Sequence, residues 1–171
     1  MRVIAVAAAI AAIAVPPGQA QSGGDGGQFM GPRVGVTFLS DGVRQSLRDE
    51  GIPDPTVMLQ FGWQWEQRFE IGPEAPLPMT QFVLLVGGAE QGLFLPSLSW
   101  LIGFRGRDGF ELGLGPNLSL AGASLVIAAG VTNRAGNVNI PWNIAIVPGA
   151  PGLRVSLLTG FNMSSRRLEA P

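Results

Sequence analysis

The sequence contains no cysteine, histidine, lysine or tyrosine. Without cysteine no disulfide can brace the fold, so its stability must come from burial or from insertion into a membrane. Without histidine and cysteine, neither a Ser-His-Asp nor a Cys-His arrangement can form, and the usual nitrogen and sulfur ligands of zinc are missing. We therefore expect no catalytic site, no metal site and no cofactor.

Charge is also scarce. Charged residues make up 13% of the chain and apolar residues 46%, whereas a soluble domain averages about 25% charged residues. All 11 basic residues are arginines, and against 12 acidic residues they leave a formal charge of -1. A nucleic-acid partner would require a basic face, so none is expected.

The first twenty residues have the pattern of a secretory signal peptide. Arg2 precedes the apolar run Val3 to Val15, two prolines follow, and Gly18-Gln19-Ala20 forms a small-x-small site. The run is too short for a membrane-spanning helix, which needs about 20 residues. We expect residues 1–20 to be removed on export and residues 21–32, rich in glycine, to form a flexible linker.

Beyond the linker the apolar residues alternate with polar ones. No segment reaches 18 unbroken apolar residues, which excludes a helical membrane protein. The alternation is cleanest over 110–120, where phenylalanine, leucine and proline share one face and glutamate, glycine, asparagine and serine share the other. Asp108-Gly109, just before it, is a typical hairpin turn.

Eight segments with this character predict eight strands. Short clusters of glycine, proline and asparagine separate most of them, which favours hairpins over parallel crossovers. Consecutive hairpins make a meander that can close, so the predicted fold is all-β, an antiparallel up-and-down β-barrel over 33–163, followed by a tail at 164–171. The prolines Pro96, Pro116 and Pro141 predict bulges or shortened strands. The predicted strands are 33–39, 56–70, 79–87, 93–104, 110–119, 124–132, 138–147 and 153–163.

One longer connection, residues 40–55, predicts a short helix in the first loop. Asp41 is expected to cap it, Val43 and Leu47 stand one turn apart, and Pro53 and Pro55 would end it. The helix either lies on the surface or covers one barrel mouth.

The polar face of the strands indicates which side is enclosed. Its amides, hydroxyls and glycines suit a crowded lumen, whereas a soluble exterior would carry many charges. The charged members would pair with one another inside, which accounts for Glu66 and Glu111 better than acid–base catalysis does. The predicted lumen network is Gln64, Glu66, Arg68, Glu111, Asn117, Asn143 and Arg154. The predicted lipid-facing aromatics are Phe61, Trp63, Trp65, Trp100 and Trp142.

With this pattern the chain resembles the small eight-stranded outer-membrane barrels of Gram-negative-type bacteria. The resemblance covers 33–163, and its most distinctive stretches are Phe61-Gly-Trp-Gln-Trp-Glu66, Gly109-Phe-Glu-Leu-Gly-Leu-Gly-Pro-Asn117 and Asn139-Ile-Pro-Trp-Asn143. It implies an outer-membrane location, with membrane lipids and the insertion machinery as partners and both chain ends in the periplasm.

Three functions remain open from the sequence. The first is an outer-membrane barrel of structural, surface or narrow-channel type without catalysis. The second is a soluble periplasmic or secreted barrel that binds a lipid-like ligand among Phe61, Trp63, Trp65, Leu112 and Ile144. The third is a secreted β-rich subunit that self-assembles through exposed apolar strands.

Overall fold

A computed structural model of the chain describes residues 26–52, 56–135 and 138–164, and these form an antiparallel up-and-down β-barrel. Consecutive strands pair in chain order, and β1 pairs with both β2 and β8, so the sheet closes. This confirms the predicted all-β barrel of eight strands with one short helix in the first long loop. The elements are β1 (Gly27–Leu39), α1 (Asp41–Asp49), β2 (Val57–Arg68), β3 (Leu77–Gly87), β4 (Leu95–Arg105), β5 (Phe110–Ser119), β6 (Gly122–Ala135), β7 (Val138–Gly149), β8 (Gly152–Gly160) and the short β9 (Met163–Ser164).

The registers of the paired strands fix the shape of the barrel. A path that starts at Gln28 on β1 and moves to the paired residue on each neighbouring strand returns to β1 at Phe38. The offset of about ten residues between start and end is the shear of the barrel. A shear of that size over eight strands tilts them by roughly 40° from the barrel axis, within the range for closed barrels. The intermediate positions are Gln67, Thr80, Ile102, Leu114, Ile127, Ile146 and Val155.

The two ends of the barrel differ. The helix end carries α1, a 3₁₀ turn at Ala89–Gln91 and the tight turns before β6 and β8. The terminus end carries the connections 69–76 and 106–109, together with the first and last residues that the structure describes. The short β9 pairs with β1 there, opposite Phe29 and Met30.

The first strand is longer than predicted. It begins at Gly27, so 27–32, the second half of the expected linker, is paired along β2 from Gly27 opposite Arg68 to Pro32 opposite Trp63. Glycines hid this segment because they blur the alternation, but a partner strand of matching length supplies the hydrogen bonds. The expected signal peptide (1–20), the rest of the linker (21–25) and tail residues 165–171 lie outside the described residues.

The last predicted strand, 153–163, is divided into β8 and β9. Between them Asn162 pairs with Asn139 through two backbone hydrogen bonds of 2.7 and 3.0 Å. Pro96, Pro116 and Pro141 lie within strands and do not end them. Every residue of β4 and β5 is described, and the ladder between them is interrupted between the pairs Ser99–Asn117 and Ile102–Leu114. The interruption arises because Pro116 has no N–H to donate.

The helix forms where predicted, but its ends differ. Its N-cap is Ser40 and not Asp41, and the Ser40 hydroxyl accepts the Leu153 N–H at 2.8 Å and does not cap the helix. At the other end Gly51, with φ +74°, and Ile52 donate to the carbonyls of Arg48 and Leu47. This is a Schellman motif, so the helix ends before Pro53 and Pro55, which lie outside the described residues.

The helix packs on the rim of the barrel beside the turn before β8. Val43 is its buried residue, and most of its polar side chains are exposed. Gly42 approaches the chain so closely that an added Cβ would lie 1.8 Å from the Pro151 carbonyl oxygen. Among the described residues, no helix is long and apolar enough to cross a membrane.

Candidate functional site

The outer face of the barrel is an apolar belt, made of the outward-facing side chains of the eight long strands. On β5 the residues from Phe110 to Leu118 alternate between exposed apolar and buried small or polar side chains. The predicted lipid-facing aromatics all lie on this outer face with 39% to 54% exposure: Phe61, Trp63, Trp65, Trp100 and Trp142.

The belt carries no charged side chain on the strands that the structure describes. Every charged residue of the eight long strands lies at an inward-facing position of its strand: Arg33, Glu66, Arg68, Arg105, Glu111, Arg134 and Arg154. On β5 the outward apolar residues extend from Phe110 to Leu118, which at the observed tilt is about 20 Å along the barrel axis, and the exposed Leu120 lies in the turn beyond the strand. Asn133 and Gln67 stand at the edge of the belt nearest the terminus end.

Three polar side chains within the belt are bonded to other atoms of the barrel wall. The Trp100 indole N–H donates to the Thr80 hydroxyl at 2.8 Å, and that hydroxyl donates to the Leu101 carbonyl at 3.3 Å. The Thr159 hydroxyl donates to the Pro141 carbonyl at 3.1 Å. Trp100 also stacks on Phe82, with ring centroids 5.7 Å apart. These residues therefore do not require water as a partner.

One part of the belt is concave. Phe110, Trp142 and Ile144 are among the walls of an open apolar groove of about 480 Å³ over β5 to β8. Its lining includes the small residue Ala129 and the internally bonded Thr159. The groove is part of the apolar belt and adds no new chemistry to it.

The lumen contains a buried ionic network toward the terminus end, centred on Glu66. Its carboxylate accepts hydrogen bonds from Arg105 at 2.9 and 3.0 Å, from Gln64 at 2.8 Å and from Gln81 at 3.1 Å, and it also contacts Arg68. Because these residues belong to β2, β3 and β4, the network ties three strands together inside the barrel.

Glu111 extends this network across the barrel. Its carboxylate contacts the Arg105 guanidinium from β4 and the Asn143 amide from β7. Arg33 on β1 joins from the other side, donating from Nε to Gln64 at 2.7 Å. Three buried guanidiniums, on Arg33, Arg68 and Arg105, therefore face two buried carboxylates.

A second polar cluster lies toward the helix end, and its bonded groups include no carboxylate in the part of the chain that the structure describes. Arg154 donates to Asn117 at 2.8 Å and to Ser119 at 3.0 Å, and Asn117 donates to the hydroxyls of Ser97 and Ser99. Arg154 is therefore held by neutral groups. Nearby strands are linked by the Thr37 hydroxyl, which bonds Gln60 and Ser156 at 2.7 Å each.

Much of the remaining interior is apolar. Val83, Leu85, Leu101, Val126 and Val147 form a buried cluster on the inward faces of β3, β4, β6 and β7. Between this cluster and the polar groups lies a cavity of about 60 Å³. It has room for a few water molecules at most, and lipid-binding sites are several times larger.

The predicted lumen residues all lie inside the barrel, but they divide into two groups. Gln64, Glu66, Arg68, Glu111 and Asn143 belong to the ionic network, whereas Asn117 and Arg154 form the separate cluster near the helix end. Among the described residues Arg154 therefore bonds to neutral groups and not to a carboxylate, which the predicted ion pairing requires.

The sequence-based lumen network does not include Arg33 and Arg105, because Arg33 begins the predicted strand 33–39 and Arg105 falls in the predicted connection between 104 and 110. The alternation of each strand could have identified them, because odd-numbered residues face inward on both strands. Arg33 lies on the same face of β1 as Thr37, and Arg105 lies on the same face of β4 as Ser99. The apolar cluster was missed because β3 is hydrophobic on both faces, so alternation could not indicate that Val83 and Leu85 point inward.

Within the described ranges, no group of three or more His, Cys, Asp and Glu side chains could hold a metal ion. Comparison of the chain with protein-family models, curated proteins and solved structures finds no match. The geometry of the belt and the lumen therefore carries the functional argument.

Proposed function

We propose that this chain is a β-barrel of the bacterial outer membrane with a structural or surface role and no catalytic site. The observation that carries the proposal is the charge-free apolar belt, about 20 Å tall within β5 and continued by the exposed Leu120 in the turn that follows. Barrels of that membrane present an apolar band about 25 Å tall to acyl chains. In water, a belt around the whole barrel would exceed the apolar patches of a few hundred Å² that monomeric soluble proteins expose.

The bonding of the barrel wall also supports membrane insertion. Acyl chains cannot hydrogen-bond to backbone groups, so a spanning sheet must close on itself. Here β1 pairs with β8 as well as β2, which leaves no long free edge among the eight strands. The polar side chains Thr80, Trp100 and Thr159 likewise bond within the wall.

The packed lumen favours a structural or surface role over a channel. Eight strands leave space for side chains and little else. Here the ionic network joins β1, β2, β3, β4, β5 and β7 across the interior, and the remaining cavity is about 60 Å³. We infer no continuous water path through the barrel.

A soluble lipid carrier would require the opposite arrangement. Phe61, Trp63 and Ile144 would line a cavity of several hundred Å³, whereas they lie on the outer face. A self-assembling subunit would need either a free strand edge or an apolar surface left open to water. The closed barrel offers no long free edge, and the belt offers an apolar surface.

Cell fractionation tests the proposal. The full chain is expressed in a Gram-negative host, and we expect it in the outer-membrane fraction, resistant to extraction by salt and released by detergent. Because a closed barrel binds less detergent than an unfolded chain, the unheated and heated protein are expected to migrate differently in a denaturing gel.

The other functions predict other results. Recovery of a monomer in the periplasmic supernatant would overturn the proposal in favour of a soluble carrier. Recovery as detergent-insoluble fibres would support self-assembly instead. The variant Glu74→Gln serves as a control for expression and fractionation. Glu74 is exposed in the connection 69–76, so the variant should fractionate as the original chain does.

A further inference from the structure

Within the described ranges, two guanidiniums and no carboxylate line the cavity in the lumen. Arg33 reaches it from the ionic network and Arg154 from the cluster at the helix end, and the other polar lining groups are hydroxyls and amides. An arginine cannot shed its charge at ordinary pH, so the cavity lies in a positive field. A cation is therefore disfavoured there.

The charges around Arg33 do not balance. Arg68 and Arg105 are matched by Glu66 and Glu111, which they contact directly. Arg33 is left with neutral partners, the Gln64 amide oxygen at 2.7 Å and the Pro32 carbonyl at 3.3 Å. One positive charge of the buried network is thus uncompensated, which is costly in a group that is only 1% exposed.

Arg33 also has an unused donor. Its Nη2 nitrogen is buried and has no hydrogen-bond partner among the residues that the structure describes. Buried polar groups almost always have a partner, and a bound water or ion is one way to satisfy an orphaned donor. Arg68 and Arg105 also carry unpartnered nitrogens, but their guanidiniums contact carboxylates and do not line the cavity. A water molecule would satisfy the donor and leave the charge uncompensated, whereas a small anion would satisfy both.

We propose that the lumen cavity binds one small monovalent anion, of the halide or nitrate class, on the guanidinium of Arg33. A volume of about 60 Å³ admits an anion of one to a few atoms and excludes larger ones. Arg154 is half-buried at the other side of the cavity, where it attracts the anion from the helix end. This inference concerns the lumen alone and stands independently of the membrane proposal.

The test measures thermal unfolding of the full chain, in detergent or in buffer according to where fractionation places it. Sodium chloride is replaced by sodium gluconate at constant ionic strength, because gluconate is monovalent and too large for the cavity. We expect the midpoint to rise with chloride and then saturate, by about 5 °C when chloride is 100-fold above its dissociation constant. Bromide in crystals is expected to give an anomalous peak within hydrogen-bond distance of Arg33.

Matched variants separate the site from general salt effects. Arg33→Gln is expected to abolish the chloride dependence, and Arg107→Gln, which removes the same charge from the outer turn 106–109, is expected to retain it. If Arg33→Gln does not fold, Ala145→Val, which adds volume to the cavity lining and leaves Arg33 in place, is expected to abolish the dependence. The proposal would be overturned if the original chain had the same unfolding midpoint in chloride and in gluconate. It would also be overturned if the cavity contained only water in bromide-soaked crystals.

Discussion

A charge placed on the outer face costs more folding free energy in lipid than in water. Ile127 lies on the apolar belt, paired with Leu114 and Ile146 and 45% exposed. Asn133 faces the same side of the same strand at the edge of the belt. The two positions therefore form a matched pair on β6.

At this scale we predict that Ile127→Arg destabilises the folded barrel by about 2–4 kcal/mol in lipid, and Asn133→Arg by about 0–1 kcal/mol. The difference arises because a guanidinium at mid-belt must leave water, whereas one at the edge need not. Urea unfolding in vesicles measures both free energies. If Ile127→Arg changed stability by less than about 0.5 kcal/mol, as an exposed position in water does, the belt would not contact lipid.

The carboxylate of Glu66 is the acceptor that holds the ionic network together. Glu66→Gln keeps the size of the side chain but leaves Arg68 and Arg105 with one fewer buried counter-charge. We expect a loss of about 3–5 kcal/mol in the free energy of unfolding, as for other broken buried ion pairs. Glu74→Gln, in an exposed loop, is the control and should leave unfolding by urea within about 0.5 kcal/mol of the original.

At the scale of elements, α1 is held to the rim by a close approach to the turn before β8. A methyl group at Gly42 would collide with the Pro151 carbonyl oxygen. Gly42→Ala is therefore expected to release the helix and to speed tryptic cleavage at Arg44 and Arg48 by about tenfold or more, through easier local opening. The unfolding midpoint of the barrel should barely change.

The matched control is Ser46→Ala, in the same helix. Alanine favours a helix more than serine does, and the change at position 46 adds no group to the turn before β8. Tryptic cleavage at Arg44 and Arg48 should therefore be unchanged or slower. Faster cleavage in both variants would mean that the helix is held by its own stability and not by docking.

The sequence predicted the strands well where alternation is strong and poorly where it is not. β5 has the predicted bounds because each outward leucine faces a small or polar inward neighbour. The start of β1 was missed because residues 27–32 show no alternation, and only the length of β2 across from them reveals the pairing. Long-range pairing of this kind cannot be read from a local pattern.

At the scale of the whole molecule, closure depends on the seam between β1 and β8. Gly35 lies at this seam opposite Leu158, and an added Cβ would be 2.1 Å from the Leu157 carbonyl oxygen. Gly35→Ala is therefore expected to prevent closure and to cost about 3 kcal/mol or more, seen as loss of the folded form in unheated gel samples.

Gly113 provides the comparison, since it also faces inward from a strand. A Cβ there would lie 3.4 Å from the Leu101 side chain, which is an ordinary contact. Gly113→Ala should keep the folded gel mobility. If both variants stayed folded, the approach of β1 to β8 would be looser than the geometry indicates.

The character of the lumen was only partly predictable at this scale. The inward set of Glu66, Glu111 and Asn117 followed from strand parity, because a polar residue in an apolar strand marks the enclosed face. The excess of arginine over carboxylate did not follow, because it depends on which of Arg33, Arg105 and Arg154 reach a carboxylate, and that is set by the shear of the barrel.

Because β1 lies between β8 and β2, with β9 paired against it, the first and last described residues lie at the same end of the barrel. A short peptide could join them, and the chain could be opened instead at the two-residue turn after β5, outside any ladder. The barrel should thus tolerate circular permutation, with new ends at 120 and 121 that project from the opposite rim.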